Sequence, residues 1–438
     1  MKDYVSWGHY PTVSQQVTKL NNRLELLSDC ANQTCLAYGN GRSYGDCCLN
    51  DKGRIISTEY LDHFINFDSN KGVLKCESGI TLAQILDLIV PHNWFLPVTP
   101  GTRYVTIGGA IANDVHGKNH HLAGTFGCHV IRFEVVRSDN SRIVCSASEN
   151  TELFHATIGG LGLTGLISWA EIKLKPINSP YIKQESIKYS SLDEFLSLSS
   201  ESDKDWEYTV SWLDCFSSKN NQAKGIFYRG RHAENKDTGQ DKKQSHLAFP
   251  FYAPTFTLNR LSINTFNTLY YHKQFNKCKK SLVHYEPFFY PLDGIRDWYK
   301  LYGKSGFFQF QCVIPLSNAS VFNELLSRIT KSGQGSFLSV LKVFGSKKSP
   351  GMLSFPREGI TLALDFANKG KTTMALLNEL EKIVVEAKGA IYPAKDALMH
   401  AENYQMFYPE WKSFSHYIDP AFSSSFWRRV TSNSGIVK

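Results

Sequence analysis

Thr106-Ile107-Gly108-Gly109-Ala110-Ile111-Ala112-Asn113-Asp114-Val115-His116-Gly117-Lys118-Asn119-His120-His121 is the stretch on which the reading of this chain turns. Its first half is poor in side chains. Gly108 and Gly109 let the backbone approach a ligand closely, and Ala110 and Ala112 keep the neighbouring side chains small. Its second half crowds Asn113, Asp114, His116, Lys118, Asn119, His120 and His121 into nine positions. Small residues followed by a dense polar cluster point to the lining of a binding site. The three histidines have no ordered acidic partner spacing, so the stretch does not read as a metal centre.

Upstream lies a second glycine-rich segment, Ala37-Tyr38-Gly39-Asn40-Gly41-Arg42-Ser43-Tyr44-Gly45-Asp46-Cys47. Three glycines in seven residues allow a tight turn with exposed backbone N–H groups, a nest suited to a pyrophosphate. Arg42 adds a charge. The pattern is neither a G-x-G-x-x-G between strand and helix nor a phosphate-binding G-x-x-x-x-G-K-[ST] loop. Between the two segments, Pro100-Gly101-Thr102-Arg103 is another turn.

Further out, residues 30–175 alternate short strand patterns with glycine turns. Strands are expected at 54–59, 64–67, 72–77, around Ile131, Phe133 and Val135, at 142–145 and at 166–174. Thr81 caps a helix carrying Leu82, Ile85, Leu86 and Ile89, which Pro91 stops, and a short helix is expected at 152–157. In the second half, strands at 307–315, 336–344, 359–366 and 390–394 surround a helix capped by Ser317 and a helix carrying Leu376, Leu377, Leu380 and Val384. The order βαββαβ over 307–394 is that of a split-βαβ, ferredoxin-like sheet. Its two helices cover one face and leave the other free to cover a cofactor. Residues 233–244 read as a polar loop. Residues 245–285 mix aromatics with bases and read as an irregular excursion, either buried or a flap that touches a lipid-linked substrate or a membrane surface.

At 438 residues the chain exceeds what one core usually serves. The expected division is 1–180, 181–395 with a mobile segment at 233–285, and 396–438 returning to the first domain. Hydrophobic content of 42% with 20% charged residues excludes disorder and fibrous folds. The net charge of +8 suits an anionic ligand or acidic lipid surface better than nucleic acid. No apolar run reaches membrane-spanning length, and Met1-Lys2-Asp3-Tyr4 does not open a signal peptide. The ten cysteines contain no C-x-x-C pair. The expectation is a reduced cytoplasmic protein, possible at the inner face of the plasma membrane only as a peripheral guest.

The two glycine segments resemble the FAD-binding domain of the vanillyl-alcohol oxidase (PCMH-type) superfamily, and within it the decaprenylphosphoryl-ribose oxidase family. The likeness runs in order from Gly41-Arg42-Ser43-Tyr44-Gly45-Asp46 through Gly108-Gly109-Ala110-Ile111 and Gly159-Gly160-Leu161-Gly162 to Pro291-Leu292-Asp293, Gln309-Phe310-Gln311 and Ala394-Lys395-Asp396. It implies an α+β fold with a two-subdomain FAD-binding unit and a ferredoxin-like substrate domain. It implies FAD held non-covalently, because Arg42 stands where covalent relatives carry a histidine.

Carried over by motif, the flavin contacts are residues 37–47, Gly101, Thr106, Ile107, Gly108, Gly109, Asn113, Asp114, Val115, His116, Ile167 and Tyr392. The substrate side is Gln309, Gln311, Lys342 and Lys395. Gln309 and Gln311 are two apart on one strand and so share a face. Lys395, His116 and Tyr44 are the catalytic candidates, unranked. The resemblance implies oxidation of a sugar hydroxyl by hydride transfer to the flavin, the 2′-hydroxyl of a polyprenyl-phosphate ribose or a related glycosyl phosphate. A separate short-chain NAD(P)-dependent reductase would complete an epimerisation in cell-envelope synthesis. An aldonolactone oxidase and a non-catalytic flavin-binding protein are the alternatives. Departures fall on the substrate side: Phe289 stands for a tyrosine, Thr361 for an asparagine, Ala363 for a cysteine and Leu398 for an arginine.

Overall fold

Near Thr81 the hydrophobic period changes from two to 3.6 residues. In the computed structural model this is where strand Val73–Glu77 gives way to helix Leu82–Ile89. The structure describes residues 3–27, 30, 33–216, 223–234 and 247–432. The Thr81 hydroxyl accepts from the Gln84 N–H, and the Gln84 side chain accepts from the Thr81 N–H at 2.9 Å, a reciprocal cap. Leu82, Ile85, Leu86 and Ile89 are fully buried, each stabilising by roughly 1.5–3 kcal/mol. Thr81→Ala is expected to lower stability by about 1 kcal/mol. Urea unfolding checks this as a shift in midpoint with unchanged slope, and Thr81→Ser should restore it.

The helix packs on a five-stranded antiparallel sheet, in the order Phe64–Asp68, Val73–Glu77, Leu166–Lys173, Val130–Val136, Arg142–Ser146. Helix Ile107–Ala112 lies in the same core. A three-stranded parallel sheet, Gln16–Lys19, Arg54–Ser57, Cys35–Tyr38, carries the first glycine segment out of its last strand.

The second half builds one eight-stranded antiparallel sheet. Its order is Cys278–His284, Tyr181–Tyr189, Gly225–His232, Tyr208–Leu213, Ser339–Phe344, Gly359–Ala367, Phe307–Ile314, Ala390–Ile391. The last four strands, with helices Val321–Ser332 and Lys371–Glu386, form the expected βαββαβ unit. Phe322, Leu325, Leu326 and Ile329 on one helix and Leu376, Leu380 and Val384 on the other are buried against the sheet. Strand alternation sends Gln309, Gln311, Thr361, Ala363 and Asp365 to the opposite, cavity-lining face.

Details differ from the periodicity reading. The helix after Pro315 takes Ser320, not Ser317, as its cap residue, because a 3-10 turn at Leu316–Asn318 intervenes. The last strand is only Ala390–Ile391. Pro393 has no N–H to continue the ladder, and Pro393–Lys395 becomes a 3-10 turn. Within 245–285 the chain is not irregular. It holds helix Arg260–His272, capped by Asn259, and edge strand Cys278–His284, which pairs with Tyr181–Ile187. Of the loop expected at 233–244, residues 235–244 lie outside the described residues. Residues 396–432 pack around the first glycine segment: the Cys35 N–H before it donates to Ala421 O at 2.7 Å, the Ser425 N–H donates to Leu49 O beyond it at 2.8 Å, and Arg429 pairs with Asp46 inside it.

Candidate active site

A cavity of about 1310 Å³ lies between the two glycine-rich segments and the open face of the eight-stranded sheet. Small-molecule pockets are typically ~300–1,000 Å³, so this one has room for a dinucleotide and a second molecule.

The two segments meet where side chains are absent. A Cβ on Gly39 would stand 2.4 Å from Thr106 Oγ1, the atom that caps helix Ile107–Ala112 through the Gly109 N–H. Gly41 sits at φ 61°, a left-handed conformation that favours glycine. Past it, the N–H groups of Gly41, Arg42 and Ser43 meet no acceptor among the described residues. Buried Ser78 Oγ, Asn113 Oδ1 and His116 Nδ1, all on residues that line the cavity, also lack a protein partner. Donors and acceptors left open along a glycine cradle fit a dinucleotide carrying a diphosphate and polar rings. Arg42 is held by its own loop. Its guanidinium donates to Asn40 O at 2.8 Å and stacks over the Trp7 ring at 4.5 Å.

Most residues singled out in the sequence line this cavity. On the glycine side they are Ala37, Gly39, Asn40, Gly41, Arg42, Ser43, Tyr44 and Cys47, then Gly101, Thr106, Gly108, Gly109, Asn113, Val115, His116, Ile167 and Tyr392. On the sheet side they are Gln309, Gln311, Lys342 and Lys395. Five do not line it. Tyr38 turns its hydroxyl to Val5 O at 2.7 Å. Gly45 packs its Cα against the backbone of Asp396. Asp46 is buried in an ion pair with Arg429 at 2.7 Å. Ile107 is a core residue. Asp114 accepts from the Ser349 and Ser354 hydroxyls and the Gly127 N–H, tying loops behind the wall. Each is drawn off by a partner distant in sequence, which motif spacing does not reveal. His120 and His121 also stay outside: His120 lies on the Phe344 ring at 4.5 Å, and the His121 ring is 3.1 Å from Trp206 O. No metal-binding cluster occurs among the described residues.

The charged groups of the cavity are unusual. Lys118, Lys342 and Lys395 all line it, and none makes an ion pair among the described residues. Burial brings the Lys395 ammonium down to about 7 against the pull of Asp365, Lys118 to about 7 and Lys342 to about 8. Asp365, 1% exposed, is pushed up to about 7 by burial, although Gln309 donates to it at 2.5 Å. Burial thus favours the neutral form of both the carboxyl and the amine, and the two feel each other's charge without a direct ion pair among the described residues. Lys395 also lies over the Tyr44 ring at 3.9 Å. Burial holds the Tyr44 phenol well above its ordinary range, so it stays protonated.

His116 is kept neutral by burial and by the nearby Lys342, His120 and Lys395 charges. The Gln311 amide lies 2.9 Å from His116 Nε2 and donates to Thr361 Oγ1 at 3.3 Å. With both amide hydrogens used, Nε2 accepts and the imidazole proton sits on Nδ1. The sequence reading missed Asp365 and Lys118. Asp365 lies on the same strand face as Thr361 and Ala363, a two-residue period that would have found it. Lys118 stood inside the polar cluster.

Residues 20–146 match the model of an FAD binding domain family. The chain is 34% identical over 411 residues to decaprenylphosphoryl-beta-D-ribose oxidase of Mycolicibacterium smegmatis, covering 90% of this chain and 88% of that protein. It is 28% identical over 371 residues to an uncharacterized protein in the mprA 5′ region of Streptomyces coelicolor, covering 80% of this chain and all of that protein. Delta(24)-sterol reductase of Homo sapiens is 31% identical over 123 residues, 28% of this chain and 24% of the reductase.

Proposed function

This chain belongs to the decaprenylphosphoryl-beta-D-ribose oxidase family of FAD-dependent oxidoreductases, and from that premise we propose that it oxidises a secondary hydroxyl of a lipid-linked glycosyl phosphate, the 2′-hydroxyl of a polyprenyl-phosphate ribose or a close relative. The observation that carries the reading is the convergence of three half-buried lysines and the buried Asp365 on the cavity that the glycine cradle opens into.

FAD held in that cradle supplies the hydride acceptor. The chain's own residues do the rest. The alcohol loses a hydride and a proton, and the proton needs an acceptor within the cavity. Lys395 in its neutral form takes it, and the Asp365 carboxyl nearby favours the ammonium that results. His116 has its Nε2 lone pair engaged by Gln311 and serves to orient. Tyr44 is a phenol that packs under Lys395. Gln309 fixes Asp365. Lys342 on the sheet and Lys118 in the loop after the second glycine segment, close enough to feel each other's charge, seat the phosphate. Holding cations away from water without carboxylate partners is costly, and the single negative charge of a phosphodiester offsets part of that cost. The three segments 1–180, 181–395 and 396–438 divide this work between cofactor, substrate and closure of the cradle. A separate short-chain NAD(P)-dependent reductase acting on the keto sugar would complete an epimerisation.

Two measurements test this reading. Acid precipitation of the yellow protein should leave FAD in the supernatant, since Arg42 and not a histidine occupies the loop. Anaerobic addition of a ribosyl phosphate carrying a short prenyl chain should bleach the flavin absorbance, and the same sugar lacking its 2′-hydroxyl should not. Bleaching by a sugar lactone but by no glycosyl phosphate overturns the assignment.

A further inference from the structure

No acidic residue occurs between Ser245 and Tyr285, while Arg260, Lys273, Lys277, Lys279 and Lys280 fall within that span. The same span gathers exposed apolar side chains. Eight of the eighteen large hydrophobic residues exposed among the described residues lie between 251 and 282. Phe275 is 92% exposed, Leu261 76%, Phe256 74% and Leu269 67%. A water-facing surface does not concentrate such side chains without an interaction to match.

Their placement follows from helix Arg260–His272. One side of it, Ile263, Phe266 and Tyr270, lines the cavity, Phe266 at the open rim where it stays part exposed and edge-on to Phe337 at 5.6 Å. Leu261 and Leu269 point away from the cavity. The chain before the helix exposes Phe251 and Phe256, and the turn after it exposes Phe275. Edge strand Cys278–His284 adds Lys279 and Lys280, both exposed. Lys280 and Lys277 each reach one carboxylate, at 3.2 and 2.8 Å, whereas Arg260, Lys273 and Lys279 pair with none among the described residues. The result is an apolar projection fringed by cations, continuous with a cavity that it partly walls.

We propose that this projection, residues 249–282, is a membrane-docking face whose partner is an anionic lipid bilayer. Aromatic and leucine side chains enter the acyl boundary, the basic fringe meets lipid phosphates, and the cavity mouth lies at the membrane surface. A substrate with a polyprenyl tail then enters headgroup first while its tail stays in lipid, so it is never drawn into water. The membrane contact itself stands on the exposed side chains. Only its purpose rests on the function proposed above. A protein partner would need an acidic and apolar surface of its own, and the structure favours the bilayer because the apolar groups project singly from loop, helix and turn.

The test is flotation of the FAD-loaded protein with vesicles. It should rise with equimolar phosphatidylcholine and phosphatidylglycerol, much less with phosphatidylcholine alone, and less again at high salt. The combined variant Leu261→Ser, Leu269→Ser, Phe275→Ser should lose binding by about tenfold or more, since these are three of the four most exposed apolar side chains of the projection. Its thermal unfolding and its flavin bleaching by a short-chain glycosyl phosphate should match those of the unaltered protein, because none of the three lines the cavity. Failure of the unaltered protein to float, or equal flotation of the variant, overturns the proposal. So does a vesicle-indifferent protein whose oligomeric state the variant changes, which would make the face a protein interface. Flotation without bleaching by any glycosyl phosphate would overturn the proposed reaction and leave the docking face standing.

Discussion

Lys395→Ala is expected to lower turnover by about 10²–10⁴-fold, the usual share of a positioned acid–base group, while the protein stays yellow. The amine lies at the end of a 3-10 turn whose backbone is fixed independently of it: Tyr44 N–H donates to Ala394 O at 2.9 Å, and Lys395 N–H to Tyr392 O at 3.0 Å. Removing the side chain therefore leaves the turn and the glycine cradle in place. The visible spectrum should match that of the unaltered protein, and anaerobic bleaching by substrate should slow. Retained turnover removes Lys395 from this role.

A pH profile adds a second readout. The acceptor is the neutral amine, with a pKa of about 7, so kcat/KM should rise with pH through that value. Asp365 holds the amine's pKa up by Coulomb attraction. Asp365→Asn should then shift the rising limb to lower pH. A group that merely packed under the flavin site would shift nothing.

Arg429→Met is expected to give the largest loss of stability, about 3–5 kcal/mol, the range for breaking a buried ion pair from one side. The guanidinium donates to Asp46 from Nε at 2.9 Å and from Nη2 at 2.7 Å, and from Nη2 to Asp396 at 2.9 Å. It also reaches Met399 O. Asp46 and Asp396 are 3% and 8% exposed. Methionine fills much of the volume and leaves both carboxylates without their cation. Burial already raises the Asp46 pKa despite Arg429, and the variant should raise it further. A folded-state pKa above the unfolded value favours the protonated folded form. The deficit should therefore shrink as pH falls and be greatest at neutral and alkaline pH. Urea unfolding at two pH values measures it. A loss below 1 kcal/mol at neutral pH, or one that grows on acidification, would contradict the account. Because Asp46 ends the first glycine segment and Asp396 follows Lys395, FAD retention should weaken in parallel.

Local chemistry in the sequence determined a good deal of this protein. Glycines at 39, 41, 108 and 109 announced a cradle because only they permit close backbone approach. The cap at Thr81 and the helical spacing after it fixed that element without help from the fold. The βαββαβ order over 307–394 followed from changes of period, since strands and helices bury one face each. The tertiary structure alone decided which polar residues face the cavity. Asp46, Asp114 and Tyr38 sit inside the motifs yet turn away, because Arg429, two serines and Val5 O reach them from far along the chain. Asp365 joined the site only when Gly359–Ala367 was laid between two strands and its alternate residues came to face Lys395. The aromatic and basic run at 245–285 showed no single period, because its middle helix, capped by Asn259, buries only Ile263 and Asn267 and so leaves no apolar stripe to read. Spacing along a chain reports the groups that backbone geometry places, whereas burial and long-range pairing set where a charge points and what its pKa becomes.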